Sequence, residues 1–398
     1  MSAKRSRTSS RPLGFRRGPR IADLMTPDYH AFVDSSNAAE RAGDAATALE
    51  YHQGIPMFRR SAHRVTLEQL AGLADEMTPW LWARWAAYQC TRAEDPDTDS
   101  RVVLQMALDY TLRMFHADAM EQAYVEGGDP VQVMAVTAGE DWAFHQLCTY
   151  ELGGLACFLD TMPTGRLAAE CGLARGWVDA WMGGYRLESS APGPLVVRDL
   201  ATDESIELLD LGARLHAGAG GWLIGRLVPS GTTPALMFDT RPLAVDEETA
   251  AETATGELRG AWVAALDRAF REGRVDPGVL QREDRELVTD VAGLDRLERG
   301  TPPRELAGAR ERLADGRDEI GRAAYRILRS AAEGTFGADE DAPFVAAAAV
   351  NAHAFSEALK QLVRPECRAG WEHWAALAPE PARGRLTRLA DLSGAAAA

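Results

Sequence analysis

The chain has 398 residues, with 43 Lys and Arg against 59 Asp and Glu and a formal net charge of −16. That length exceeds what one hydrophobic core usually organises, so two or three domains are expected. Like charges repel, which argues against any general affinity for nucleic acid or anionic lipid. The 46% hydrophobic and 26% charged fractions are ordinary for a globular protein. No apolar run is long enough to cross a bilayer, and no signal-peptide core follows the first basic residues. Five cysteines, Cys90, Cys148, Cys157, Cys171 and Cys367, form no CxxC pair. They read as reduced thiols of a cytoplasmic protein. Abundant Arg and Ala with few Lys point to a high-GC coding bias.

Residues 1–25 read as a disordered basic arm. Lys4, Arg5, Arg7, Arg11, Arg16, Arg17 and Arg20 fall in the first twenty residues with no acid. Such an arm would touch nucleic acid or the acidic body of its own chain; an over-extended start of the reading frame would look the same. A helical domain is expected over 26–184. Asp28 to Ala42 and Asp44 to Phe58 read as a hairpin turning at Gly43. With Ser36, Gly43-Asp44, Ala48 and Tyr51, this segment resembles half of a tetratricopeptide repeat, with Phe32 at the usual tryptophan position. No second copy follows, so a single helical hairpin is expected rather than an array.

Thr66 to Met77 predicts another helix. Thr78 and Pro79 open the next, PWLWARWAAYQC, whose Trp82 and Trp85 predict core. Ser100 opens a long helix to about Tyr124, with Val103, Met106, Ala107, Tyr110 and Met114 on one side. Asp129-Pro130 opens another that runs past Trp142 and Phe144 to Gly153-Gly154. A short helix follows through Leu155 to Leu159.

Residues 185–245 are the one part that reads as strands. Short runs rich in Val, Ile, Leu and Trp are bounded by Gly, Pro, Asp and Thr. Trp222, Ile224 and Val228 share a face under period two, and Arg226 breaks it. Four or five strands with tight turns predict a small antiparallel barrel or meander, closed or covered by helices. A five-stranded barrel suggests oligonucleotide binding, yet this one is slightly acidic and its only aromatics are Tyr185, Trp222 and Phe238.

Helices return over 246–398. One carries Leu258, Trp262, Leu266 and Phe270; the next Leu280, Leu287, Val288, Val291 and Leu294. Gly300-Thr301-Pro302-Pro303 reads as a break, followed by an amphipathic helix with Leu306, Leu313, Ile320, Tyr325 and Leu328. Phe344 to Val363 predicts one buried helix, ended by Pro365, and a helix pair reaches Leu392. The fold class expected is therefore α+β, predominantly α-helical around a small central sheet.

Two segments carry candidate chemistry. On GEDWAFHQLCTYE, Asp141, His145 and Cys148 lie at i, i+4 and i+7, so one helix face would offer carboxylate, imidazole and thiolate, a credible metal-ligand set. Glu151 follows, and His116, Asp118 and His63 are the candidate contributors from elsewhere. Leu167 to Gly184 resembles a DNA-binding helix-turn-helix, with Ala168 at the crossing, Gly172 at the turn, and Val178 and Trp181 anchoring the second helix. The resemblance implies DNA contacts from Arg175 and Trp177. One cation on that helix is few for phosphate binding, although the basic arm could add more.

His353 and His373 read as core or rim residues. No GxSxG elbow, phosphate loop or dinucleotide fingerprint occurs. Arg198, Asp199, Leu200, Thr202, Asp203 and Glu207 make the chain resemble large uncharacterised proteins of high-GC actinobacteria, with Asp203 where Gly is usual. That resemblance implies no activity. The reading is a non-enzymatic interaction or regulatory protein with no cofactor and a protein partner. The alternatives are a DNA-associated regulator and a metal-dependent enzyme.

Overall fold

A computed structural model describes residues 24–92, 98–125, 129–188, 195–217, 220–281 and 316–396. The expected basic arm through residue 23, the helix over Leu287 to Leu294, and the break at 300–303 lie outside the described residues. No described helix is long and apolar enough to cross a membrane.

Helix α1 (Pro27–Arg41) starts where the Thr26 hydroxyl accepts from the Tyr29 amide. Helix α2 (Ala45–Gln53) starts where Asp44 accepts from Thr47. Between them Gly43 has φ +78, and a Cβ there would come within 2.6 Å of the Leu167 backbone nitrogen. Helix α3 (Ala62–Leu73) leads to α4 (Pro79–Cys90). Helix α4 buries Trp80, Leu81, Trp82, Ala83, Trp85, Ala86 and Tyr88. A helix so largely apolar must be surrounded, and this one belongs to the largest core; the Arg84 and Gln89 side chains it also buries donate to the Phe238 and Glu40 carbonyls.

The single helix expected from Ser100 is two: α5 (Ser100–Phe115) and α6 (Ala117–Val125), separated by His116 at φ −128. Helix α7 (Pro130–Glu140) is capped by Asp129. The helix expected to continue to Gly153 breaks at Asp141, which leaves helical geometry at ψ 128 and caps α8 (Trp142–Gln146). A π turn over Leu147–Glu151 follows, then α9 (Gly154–Thr161) and α10 (Gly165–Glu170). The second helix expected of a helix-turn-helix is a 3-10 stretch, Cys171–Trp177, that gives way to strand at Met182.

The sheet is mixed, with six strands: β1 (Met182–Leu187), β2 (Leu195–Asp199), β3 (Ser205–Leu208), β4 (Trp222–Pro229), β5 (Leu236–Phe238) and β6 (Leu243–Val245). The pairing order is β1-β2-β3-β5-β4-β6, and β1 also pairs with β4. The expectation of a purely antiparallel meander is corrected at β3 and β5, which run parallel. Two strands out of sequence order replace the simple up-and-down path because β4 pairs with β1, β5 and β6. Tyr185, Leu187, Leu195, Val197, Leu208, Leu223 and Phe238 form one core cluster on the sheet. The β2–β3 turn holds Asp203 at φ +59. This is the left-handed region that glycine favours and that Asp tolerates better than most residues.

After the sheet come α11 (Glu247–Thr255), α12 (Ala261–Glu272), α13 (Gly316–Ala332), α14 (Ala342–Val350), α15 (Ala352–Gln361), α16 (Arg368–Leu377) and α17 (Ala382–Ala395). The one helix expected from Phe344 to Val363 is split at Asn351, whose side chain caps α15 through the Ala354 amide. Cores cross the expected boundaries. Trp80 and Trp85 share one with Leu328, Val345, Trp371 and Leu386. Trp142, Phe144, Met182, Ile224, Leu243 and Trp262 share another. Buried Arg385 donates to the carbonyls of Gly72 and Val350 and stacks over Phe355, tying the last helix to α3.

Candidate functional site

Polar side chains gather in two places, and exposed apolar ones in a third. The first gathering surrounds Arg226, the residue that breaks the apolar alternation of β4. Its side chain is fully buried. Nε donates to Gln146 Oε1 at 2.7 Å, Nη1 to the Ala180 carbonyl at 2.6 Å, and Nη2 to Glu151. The guanidinium lies 4.4 Å from the centre of the Tyr150 ring. Trp262 Nε1 donates to Glu151 at 2.6 Å, and Gln146 donates to Asp239 at 2.9 Å. Burial, then the neighbouring Asp239 charge, push the Tyr150 phenol well above its ordinary value. The π turn brings Tyr150 and Glu151 to this point; π turns are rare and concentrate at special sites. Here the guanidinium is surrounded by protein groups, with Nε, Nη1 and Nη2 each donating to one of them, and Arg259 stands 3.5 Å from the Glu151 carboxylate. Its role is to bind sheet, π turn and α12 together.

The second gathering lies among α1, α2, α3 and α4. His63 Nε2 donates to the buried Glu40 carboxylate at 2.8 Å, and Nδ1 meets the Tyr88 hydroxyl at 2.9 Å. His52 Nε2 meets Ser61 Oγ at 2.8 Å, and the two imidazoles stand edge to face at 5.1 Å. Arg92 closes the group, 3.6 Å from Glu40. Burial alone would raise the Glu40 carboxyl, but the charges of His63 and Arg92 overcome it and hold it below its usual range. Burial, then the charges of His63 and Arg92, push His52 down to about 4. Carboxylate, imidazole and phenol form a chain that could relay a proton. That chain ends at Tyr88, which is buried at 4% exposure.

The expected metal ligands do not stand side by side on one regular helix face, because the helix breaks at Asp141. Asp141 spends Oδ1 on the Phe144 amide and Oδ2 on His116 Nε2, at 2.8 and 2.7 Å. His116 is thus brought to Asp141, whereas His63 sits with Glu40 and Asp118 is exposed. His145 is buried beside Phe144. Cys148 is buried against the Cys90 carbonyl at 3.9 Å, and burial raises its thiol well above the usual value. Among the described residues no three His, Cys, Asp or Glu side chains converge to hold a metal ion. Of the expected DNA contacts, Trp177 is fully buried and donates to the Pro229 carbonyl, while Arg175 pairs with Asp160 at 3.0 Å.

The third gathering was hidden in the sequence by its own apolarity. Helix α5 buries Ser100, Ala107, Thr111 and Leu112, so of the side that carries Val103, Met106, Ala107, Tyr110 and Met114 only Ala107 is fully buried. Val102, Met106 and Tyr110, one stripe at i, i+4 and i+8, are exposed. Helix α6 exposes Tyr124 at 70% and Val125 at 77%, and α7 exposes Val131 and Met134. The three helices pack on one another around Leu112, Ala123 and Val133. Seven of the twelve large apolar residues exposed among the described residues therefore fall between Val102 and Met134. The signal available in the sequence was that α5 carries more large apolar residues than one buried face can use.

No family model matches this chain, and no curated protein or solved structure is significantly similar to it.

Proposed function

We propose that the chain is a non-enzymatic interaction protein that docks a partner protein on the outer surface of α5, α6 and α7. The observation that carries this reading is the concentration of exposed Val102, Met106, Tyr110, Tyr124, Val125, Val131 and Met134 on three mutually packed helices. Isolated surface apolar residues are ordinary, whereas grouped ones mark interaction sites. Aromatic residues and Met are also enriched at interfaces. In this reading the sheet is a small closed barrel: β1 pairs with β2 on one side and β4 on the other. Its part is to carry helices, and the buried Arg226 network fixes them to it. The five cysteines are all free, which supports a reducing, cytoplasmic setting. The buried state of Trp177 and the ion pair of Arg175 favour docking over DNA recognition.

The test places a photo-activated cross-linker at Val125 or Met106 of the full chain, with exposed Leu392 as the remote control. A discrete protein adduct is expected at the first two positions, absent at Leu392, and lost when Tyr124 and Val131 are both changed to Ser. Equal adducts at all three positions would sink the proposal.

A further inference from the structure

We infer that the surface of α5, α6 and α7 takes a cationic amphipathic segment of another protein rather than a second copy of this chain. The inference rests on the interaction reading and names the chemistry of the partner. The charges beside the apolar residues decide it. On α5, Asp109 and Arg113 pair with each other at 2.8 Å and cancel, and exposed Arg101 stands at the far end of the surface from α6's carboxylates in sequence, beside Val102. On α6, exposed Asp118 and Glu121 make no ion pair among the described residues. They lie at i, i+3 and i+7 with Val125, so the two carboxylates border the same stripe that presents it. A partner must bring apolar side chains to Tyr124 and Val125 and cations to Asp118 and Glu121.

A second copy brings the opposite. A two-fold contact sets each surface against itself. It would gather Asp118 and Glu121 of both chains, four carboxylates, into one interface, and each chain carries a net charge of −16. Like charges across an interface disfavour that pairing, whereas a basic partner is steered toward the acidic body.

The experiment uses the full chain and two labelled helical peptides with the same leucine stripe, one with Lys at every polar position and one with Glu. Fluorescence anisotropy at about 50 mM salt is expected to show the Lys peptide binding at least about tenfold tighter, with the gap narrowing at about 500 mM. Tyr124→Ser with Val125→Ser should weaken Lys-peptide binding about tenfold with an unchanged thermal midpoint, since both side chains are exposed. Asp118→Lys with Glu121→Lys should reverse the preference.

Several results would overturn the inference. Equal binding of the two peptides would, and so would a Lys preference that survives the charge reversal. A dimer seen by sedimentation and abolished by the Tyr124 and Val125 changes would assign the surface to a second copy. Lys-peptide affinity that rises when Arg16, Arg17 and Arg20 become Glu would assign it to the chain's own first residues. Failure of both peptides while the Val125 adduct persists would refute the partner chemistry and leave the interaction reading standing.

Discussion

The His52 environment makes stability depend on pH in a window that can be worked out. Its imidazole is 6% exposed, bonds Ser61, and is pushed from 6.5 down to about 4 by burial and then by His63 and Arg92. The unfolded chain therefore takes up a proton on this ring near pH 6.5, where the folded chain does not. Stability from His52 is fully present above that value and is lost as pH falls toward 4. At about 1.4 kcal/mol per unit the loss reaches up to about 3 kcal/mol. Glu40 acts lower: its carboxyl is held below 4.5, so its contribution persists above that value and disappears only as pH falls through the folded value. The perturbation is acidification, with His52→Gln as the reference, since Gln keeps a polar head for Ser61. Urea unfolding followed by tryptophan fluorescence between about pH 7.5 and 4.5 gives both stability curves. The wild-type curve should fall faster by about 1 kcal/mol per unit below pH 6.5. Parallel curves would refute the assignment.

Three further outcomes follow from the packing. Arg226→Met leaves the Glu151 carboxylate with Trp262 as its close donor and Arg259 at 3.5 Å as its remaining cation, and should cost about 3 kcal/mol, part of it recovered by adding Glu151→Gln; a urea midpoint within error of wild type would count against the network. Gly184→Ala puts a Cβ within 1.8 Å of the Ala250 carbonyl oxygen, where β1 meets α11. It should cost about 2 kcal/mol or more, and an unshifted thermal midpoint would show that the contact is not that close. Burial pushes the Cys90 thiol up to about 12 and Cys148 well above its usual value, while Cys157 is half-buried. Thiol labelling of the native chain at about pH 8, read by mass spectrometry, should mark Cys157 well before either; rapid labelling of Cys90 or Cys148 would contradict the burial.

The helical frame and its caps were legible because they depend on local chemistry. Thr26, Asp44, Asp129-Pro130 and Pro79 each begin a helix as their side chains or ring require. The breaks at His116 and Asp141 were not, since apolar periodicity runs through both. At both breaks the side chains are instead joined to each other by a long-range bond. The same limit applies to the Glu40, His52, His63 and Tyr88 group, whose members come from four helices with nothing in their spacing to join them. The parallel β3–β5 pair is equally non-local: turn residues announce strands, but partner choice depends on the whole sheet.

Arg226 shows how a failed local pattern can carry information. Read along β4 it spoils a clean alternation, and a surface strand would explain it by turning that residue to water. Trp222, Ile224 and Val228 on the same face are packed against the helical cores, so the side chain between them has no route to solvent. A charge confined there must meet an opposite charge and enough acceptors, or the fold pays several kcal/mol. Glu151, Gln146 and the Ala180 carbonyl supply them from segments well before β4. The network is thus forced by the strand's position between two cores. The exposed stripe on α5 is forced by nothing of the kind: Met106 and Tyr110 could be polar without disturbing Ala107 or Leu112. Apolar residues kept where folding has no use for them are the strongest reason to look for function on that surface.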